Sequence, residues 1–435
     1  MKHLFTSILS FSFFLFGYGQ STPSILGSDA VEIIDKLSNK LLSDYLYPKK
    51  AEIITKRLND YRPQLISNEL FEIKVFTDSI NSIMFDVTSD HHLKFYYDPP
   101  KFETFHTNNE TIIDSLEREQ YRRVNFGVQK VENLTNNIGL LRLNKFQQYD
   151  DVQEVLLGAM MTLANSDAII IDLRINGGGD GRTKEYLEAF FLSREKFFHR
   201  ETEFINTTEY LAIKESCSSC TQLEEVPLYI LTGNGTFSAA EGFCYDIQQS
   251  GRGLIIGTKT KGGGHSGSSF ALSKGFLVFI PVSGKSSPIE GIGIKPNKKT
   301  RENLALLAAK KLIIDDFISQ CSDSSLLKQY KWNNETITAY LAMHQLSNQM
   351  LESLQGEYSR GFSVQVIDSD LFLLNDELKM KSKLIAIDER YFIVSDNNEF
   401  GEGNYRIQFL EGGKAKLQAN LGVKVAEMPL EKKVE

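Results

Sequence analysis

Residues 226–242, VPLYILTGNGTFSAAEG, place a serine at the point where a buried strand turns into a helix. Val226 to Leu231 is a short apolar stretch that glycines close, which predicts a strand followed by a turn. Apolar residues then recur at helical spacing, so a helix should begin near Ser238. The Ser238 hydroxyl would stand among free backbone N–H groups, which suits a nucleophile. The same position also suits an ordinary helix N-cap.

A second strand that ends in glycines occurs at residues 167–181, DAIIIDLRINGGGDG. Ligands of open parallel sheets bind outside the carboxyl ends of the strands, so this loop and the Ser238 turn could share one crevice. The backbone N–H groups of Gly177 or Gly178, with that of Ala239, could then form an oxyanion hole, in which one donor typically contributes ~3 kcal/mol. A plain tight turn or a phosphate cradle is the alternative, although the run lacks the GxxxxGK[ST] and GxGxxG spacings.

Other segments supply candidates for acid–base chemistry. Asp90, His91 and His92 come just before an aromatic-rich strand, and an imidazole titrates close to neutral pH, which makes a histidine here a candidate general base. Metal ligation is the weaker interpretation, because neighbouring strand residues point to opposite faces and no HExxH or Cys/His set is present. His265 lies on a third glycine loop, and Glu290 follows a later strand.

The elements around these residues predict a leader and three folded parts. Residues 1–19 have a charged start, an apolar run of thirteen residues and a polar end, which is typical of a signal peptide and too short for a membrane span of roughly 20 residues. Helical spacing predicts a helical domain over 20–100, and strands alternating with helices predict an α/β core over 101–320. A polar linker, 321–336, leads to a helix and short alternating strands over 337–435, which are typical of a small antiparallel barrel or sandwich.

Composition narrows the classes of partner. The chain has 435 residues, 41% of them hydrophobic and 24% charged, as expected of a packed soluble protein. Its net charge of −8 argues against nucleic acid as a partner. Cys217 and Cys220 could close a small disulfide in a polar loop, whereas a redox role would require the pair to open a helix after a strand. Cys244 falls on the apolar face of the helix after Ser238 and is expected to be buried.

Five motifs in order resemble the tail-specific, or C-terminal processing, protease family, over roughly residues 28–315. DLRINGGG is similar to that family's oxyanion loop, TFSAAEG to its nucleophile turn, GTKTKGGGH to the following glycine loop, EGIGIKPN to its closing segment and DHHLKFYY to its Asp-x-His-Leu entry to a strand. Within the family, the resemblance is closest to the branch that includes tricorn protease's core and interphotoreceptor retinoid-binding protein. It implies an α/β fold of the ClpP/crotonase type, with a helical N-terminal domain, a mostly parallel core sheet and a small antiparallel β C-terminal domain.

The resemblance also implies an activity, that of an exported serine peptidase acting on peptides or proteins. Ser238 would attack the peptide carbonyl, His92 would remove the serine proton, and Glu290 would orient the imidazole. The oxyanion donors would be the backbone amides of Gly177, Gly178 and Ala239. His265 is the competing base, or else a residue that lines the substrate cleft.

Two features differ from the bacterial processing branch, which uses a serine–lysine dyad. Glycines 262–264 fill the place of that lysine, and Lys259 and Lys261 are offset from it. There is also no obvious PDZ-like insertion, which fits the retinoid-binding branch. The second hypothesis is therefore a non-catalytic binding protein for an apolar ligand or peptide on the same fold. Neither hypothesis calls for a cofactor, a metal or a membrane anchor, and both place the protein in the periplasm or outside the cell.

Overall fold

The chain divides into two compact units, which are described separately. The computed structural model describes residues 23–67, 69–105, 118–199, 202–283, 288–342, 344–395, 403–421 and 424–433. One unit consists of residues 1–108 and 266–283, and the other of residues 109–265 and 284–435. The predicted signal peptide lies outside the described residues. Among the described residues, no helix combines the length and the apolarity that crossing a membrane requires.

The principal α-helices begin and end as follows: α1 (Gly27–Asp44), α2 (Pro48–Ser67), α3 (Ile73–Thr88), α4 (Pro99–Thr104), α5 (Tyr149–Leu163), α6 (Gly181–Phe191), α7 (Arg194–His199), α8 (Thr207–Ser216), α9 (Ala239–Gln249), α10 (Ala305–Gln320), α11 (Ser324–Ala342) and α12 (Asn348–Leu354). The strands are β1 (Ser24–Leu26), β2 (Leu70–Glu72), β3 (Lys94–Tyr97), β4 (Val128–Leu134), β5 (Ile138–Leu143), β6 (Ala168–Asp172), β7 (Leu228–Thr232), β8 (Leu254–Gly257), β9 (Ser266–Ser273), β10 (Phe276–Ser283), β11 (Lys298–Lys299), β12 (Gly356–Glu357), β13 (Phe362–Ile367), β14 (Asp370–Asn375), β15 (Met380–Ala386), β16 (Tyr391–Val394), β17 (Tyr405–Phe409), β18 (Lys414–Asn420) and β19 (Val425–Glu431).

The first unit combines the predicted helices with two small sheets. One face of α1 is buried, since Ile33, Ile34, Leu37 and Leu41 recur at helical spacing and are fully covered. β10 lies between β3 and β9 and pairs antiparallel with both. Sequence analysis predicted an α/β core over 101–320, a range that includes β9 and β10. They belong to the first unit instead, because β10 pairs with β3 and not with the parallel strands.

The second unit is built on a six-stranded sheet in the order β11-β8-β7-β6-β5-β4. In this sheet the neighbouring strands are parallel for β5, β6, β7, β8 and β11. Only β4, at the edge, runs antiparallel to its neighbour β5. Both faces are covered, so the central strands carry apolar residues without alternation. Ile169 and Ile171 face the core that α5, α6 and α9 cover, whereas Ala168 and Ile170 face α10 and α11. This confirms the predicted α/β fold with its mostly parallel sheet.

A second sheet of the same unit forms the C-terminal module. Strands β12 to β19 pair antiparallel in sequence order. A bridge between Tyr358 and Lys432, and the Lys433 N–H donating to the Glu357 carbonyl at 2.8 Å, join the first and last strands. The inward side chains form a core of their own, as predicted for a small antiparallel barrel. The segment 321–336, predicted to be a linker, instead contributes most of α11.

Candidate active site

The glycine loop and the Ser238 turn meet at the carboxyl edge of the parallel sheet. β6 and β7 are neighbours in parallel register, so both chain segments leave the sheet at the same edge. The Phe237 N–H donates to the Asn176 carbonyl at 3.0 Å, and the Gly235 N–H donates to the Arg174 carbonyl at 3.1 Å. The two motifs that the sequence predicted to share a crevice are therefore hydrogen-bonded to each other.

Gly178 marks the closest approach between the loop and the turn. Its φ is +92°, and a Cβ at this position would lie 2.7 Å from the Ser238 Cβ and 2.7 Å from the Phe237 carbonyl oxygen. Both the backbone conformation and the space therefore require glycine. The Gly178 N–H donates to Asn176 Oδ1 at 2.8 Å. Of the three amides that the sequence proposed for an oxyanion hole, this one already has a partner.

Asn176 organises the glycine loop, and sequence reasoning did not single it out. Its side chain is fully buried. Besides accepting from Gly178, it donates from Nδ2 to the Leu143 carbonyl at 2.9 Å. A short polar residue directly before a glycine run is a common turn signal, and this signal could have identified the residue.

Ser238 has a backbone conformation that an ordinary N-cap does not adopt. It stands at the N-cap position of α9 with φ 55° and ψ −124°, whereas N-cap residues usually have extended backbones. A non-glycine residue held in a sparsely populated region costs about 1–3 kcal/mol and tends to occur at functional sites. Thr236, fully buried, secures the turn by donating to the Leu173 carbonyl at 2.7 Å and accepting from the Gly233 N–H at 2.9 Å.

Gly177 and Ala239 keep N–H groups that could bind an oxyanion. Among the described residues, the structure shows no hydrogen bond from either group. A Cβ added to Gly177 would meet nothing within 4 Å, so the backbone there adjoins open space. Ala239 is the first residue of α9, where helix N–H groups have no partner within the helix and the dipole favours negative charge.

In the second unit, Glu290 is paired with His265. Nδ1 of His265 lies 2.9 Å from Oε2 of Glu290, and the same carboxylate oxygen accepts the Gly264 N–H at 2.7 Å. The His265 side chain is buried. Lys259 and Lys261 are exposed. His265 and Glu290 are both residue types that bind metals.

His92 belongs to the first unit, where it is buried beside the exposed His91. The backbone N–H of His92 donates to Asp90 Oδ1 at 2.9 Å, and the other oxygen of Asp90 accepts the Tyr45 hydroxyl at 3.1 Å. The imidazole lies 6.1 Å from the Phe279 ring, centroid to centroid. Asp90 thus fixes the backbone from which the imidazole extends, and burial distinguishes His92 from His91, as the motif did.

A buried carboxylate also supports the edge of the sheet. Asp172 accepts hydrogen bonds from Arg142 Nε at 2.8 Å and from Arg174 Nε at 2.8 Å. Burial acts to raise the pKa of Asp172, but the hydrogen bonds and positive charges of Arg174 and Arg142 outweigh burial and lower the pKa. Arg174 also donates to the Glu302 carbonyl at 3.1 Å. This network anchors the start of the glycine loop.

Cys217, Cys220 and Cys244 lie in the core. Cys217 and Cys220 form a disulfide, as the sequence allowed, and each is only 3% exposed, so the bridge lies in the core and not in an open polar loop. Cys244 is fully buried on α9, and burial raises the pKa of its thiol well above the usual range. A thiol with a raised pKa forms little thiolate, so Cys244 is unsuited to be a nucleophile.

A family model matches this part of the chain. The model of peptidase family S41 matches residues 137–300, which include the glycine loop, Ser238, His265 and Glu290. The chain contains a peptidase family S41 domain. This confirms the family that the five motifs predicted. The family that matches is a family of peptidases.

Two curated relatives are carboxyl-terminal-processing proteases of cyanobacteria. The one from Picosynechococcus sp. is 29% identical over 166 residues, which are 37% of this chain and 38% of that protein. The one from Synechocystis sp. is 27% identical over 179 residues, 40% of each protein. The matched segment thus spans about two fifths of these relatives.

Solved structures overlap with the chain as well. A putative S41 protease from Bacteroides fragilis superposes with a TM-score of 0.34 at 21% identity, over 41% of this chain and 51% of that one. The photosystem II D1 C-terminal processing protease gives a TM-score of 0.36 at 13% identity, over 64% and 94%. Tricorn protease gives a TM-score of 0.42 at 12% identity, over 63% of this chain and 34% of that one.

Proposed function

We propose that this protein is an exported serine peptidase that hydrolyses peptide bonds, with Ser238 as the nucleophile. The observation that carries the proposal is the strained backbone of Ser238 at the edge of a parallel sheet, in contact with a glycine loop. A phosphate site would need neither the strain nor a serine at that position. The Gly177 and Ala239 amides are the proposed oxyanion donors, and Gly178 provides the space in which the loop and the turn meet.

The proposed reaction follows the usual course of acyl transfer. Ser238 Oγ attacks the peptide carbonyl carbon while His92 takes the hydroxyl proton, and the negative charge on the carbonyl oxygen is held by the Gly177 and Ala239 amides. His92 then gives the proton to the leaving amine as the C–N bond breaks. Water, deprotonated by the same imidazole, hydrolyses the acyl-enzyme and regenerates the serine. Glu290 is proposed to orient and stabilise the imidazolium.

His265 is the second candidate for the base. The 2.9 Å contact between its Nδ1 and Glu290 Oε2 is the arrangement in which a carboxylate orients an imidazole. The first candidate, His92, rests on the Asp-x-His-Leu motif. The two assignments differ in a measurable way, since a positioned base typically contributes ~10²–10⁴-fold to the rate.

Export and the class of partner are part of the proposal. The N-terminal pattern supports export to the periplasm or beyond, and the names of the relatives support a peptide or protein substrate. The sequence has no long run of lysine and arginine that would support a nucleic acid as the partner. The alternative, a binding protein for an apolar ligand or peptide on the same fold, predicts that Ser238 has no enhanced reactivity.

A serine-directed fluorophosphonate probe tests the proposal on the mature chain. Ser238 Oγ would attack phosphorus, the P–F bond would break with loss of fluoride, and the serine proton would pass to the base. We expect wild-type protein to be labelled and Ser238→Ala to remain unlabelled with its circular dichroism unchanged. Absence of labelling in folded wild-type protein would favour the binding protein.

The same assay separates the two histidines. If His92 is the base, His92→Ala should lower the rate of labelling by ~10²–10⁴-fold, whereas His265→Ala should lower that rate much less. The reverse pattern would assign the base to His265. Cleavage of a peptide library by the wild-type protein would then establish hydrolysis and its sequence preference.

A further inference from the structure

Glu241 is a fully buried carboxylate that the proposed reaction does not use. It lies on the first turn of α9, three residues after Ser238. The spacing S-x-x-E is typical of a capping box, in which the glutamate only returns a hydrogen bond to the N-cap backbone. In this chain the carboxylate accepts considerably more than that one bond.

Four donors converge on the two oxygens of Glu241. Oε2 accepts the Ser238 N–H at 3.1 Å and the Gly263 N–H at 2.7 Å. Oε1 accepts the Gly262 N–H at 2.7 Å and the Thr260 hydroxyl. The strained serine and the loop of residues 260–264 are therefore attached to the same carboxylate. The Thr260 hydroxyl in turn accepts the Ile294 N–H at 2.7 Å, so the segment that follows Glu290 is attached as well.

The next amide of that loop bonds to the other carboxylate of the site. Gly262 and Gly263 donate to Glu241, and Gly264 donates to Glu290 at 2.7 Å. Glu290 also contacts His265. Three consecutive backbone N–H groups therefore connect the nucleophile turn to the carboxylate–imidazole pair. Glycine is required at residue 262, because its φ is +90° and a Cβ there would lie 2.6 Å from the Ile292 nitrogen.

We propose that Glu241 is a positioning residue, which holds Ser238 in its reactive backbone conformation and sets the distance between the nucleophile turn and the Glu290–His265 pair. The inference rests on the proposed function, because it concerns the reactivity of Ser238. It goes beyond a capping role, which would affect only the stability of α9.

Glu241→Gln tests this role with little change in shape. A carboxylate can accept all four hydrogen bonds, whereas a glutamine amide presents an NH₂ group to two of the donors. Donors that face each other must separate, so the Ser238 turn or the 260–264 loop must shift. Because a misplacement of about 1 Å can cost about 10²-fold in rate, we expect the maximal rate of fluorophosphonate labelling, kinact, to fall about 10²-fold. The probe concentration at half-saturation, KI, should change less than threefold.

Glu185→Gln is the matched control. Glu185 is also a buried carboxylate of the second unit, and it accepts three backbone N–H groups, from residues 203–205, at 2.8 to 3.0 Å. We expect it to lower the melting temperature as Glu241→Gln does while kinact stays within threefold of wild type. If Glu241→Gln is folded and labels at the wild-type kinact, the positioning role is wrong and Glu241 only stabilises α9. If wild-type protein is not labelled at all, the proposed function fails first.

Thr260→Val decides the matter should Glu241→Gln fail to fold. It removes one donor from Glu241 and frees the Ile294 N–H, and it leaves the carboxylate in place. We expect kinact to fall about tenfold, a smaller loss than for Glu241→Gln, with KI unchanged. A folded Thr260→Val protein that labels at the wild-type rate would overturn the proposal.

Discussion

Gly178→Ala is the substitution that most directly tests the geometry of the site. The new methyl group would lie 2.7 Å from the Ser238 Cβ, 2.7 Å from the Phe237 carbonyl oxygen and 2.9 Å from the Ala239 amide nitrogen. These three atoms belong to the backbone and Cβ of the nucleophile turn, so no flexible side chain can move aside. The loop and the turn must therefore separate.

The size of the effect follows from these distances. Ordinary contact of a Cβ begins at 3.4 Å, so the turn must retreat by about 0.7 Å at Ser238. Since about 1 Å of misplacement can cost about 10²-fold, we expect kinact for the fluorophosphonate to fall by roughly 10- to 100-fold. The φ of +92° adds a loss of about 1–3 kcal/mol in the free energy of unfolding.

The control is Gly158→Ala, the same chemical change in α5 of the same unit. A Cβ at Gly158 meets nothing within 4 Å, and alanine is favoured over glycine inside a helix by about 1 kcal/mol. We expect this variant to be as stable as wild type or more so, with unchanged kinact. A folded Gly178→Ala protein with the wild-type kinact would refute the contact between the glycine loop and Ser238.

Three further outcomes can be measured by urea unfolding. Asp172→Asn should cost about 3–5 kcal/mol at pH 7, because it leaves two arginines without their buried partner. The pKa of Asp172 is lowered by folding, so its contribution is present above the unfolded value of about 3.9 and is lost as the pH falls through the lower folded value. The difference in the free energy of unfolding between Asp172→Asn and wild type should therefore become smaller below about pH 4. Replacing Cys217 and Cys220 by serine should cost only about 2 kcal/mol, since the bridge closes a very short loop. Arg406→Met should destabilise the contact of α11 with the barrel by about 3 kcal/mol and change the emission of Trp332, the one tryptophan of the chain, over which the guanidinium lies at 3.7 Å.

The sequence predicted those parts of the fold that depend on local patterns. β6 and β7 are short apolar runs that glycines end, and β7 lies within two residues of the bounds predicted for it, 226–231. The placement of Ser238 at the start of a helix followed from the same local signals. Adjacent parallel strands then bring their carboxyl ends together, which is why the meeting of the two loops could be predicted.

Features that depend on tertiary partners were beyond sequence reasoning. β10 belongs to the first unit because it pairs with β3, about 180 residues earlier, and apolar alternation does not identify a partner strand. The part of α11 before residue 337 was taken for a linker because its buried face includes Asn333 and Thr336. Asn333 donates to Asn136 Oδ1 at 3.0 Å, and Thr336 donates to the Trp332 carbonyl at 3.0 Å. Polar residues that are satisfied in this way hide the helical period from a hydrophobicity pattern.

The glycine loop at 262–264 also limits where the catalytic base can lie. A Cβ on Gly262 would lie 2.6 Å from the Ile292 nitrogen and 2.7 Å from the Gly293 nitrogen, and its φ is +90°. The loop as it is packed therefore has no space for a side chain at residue 262. The Gly263 and Gly264 amides are directed at Glu241 and Glu290, so the loop functions through its backbone. A lysine at Gly262 would require a different local structure. The two proposed bases, His92 and His265, lie outside these three glycines, and the paired histidine variants distinguish between them.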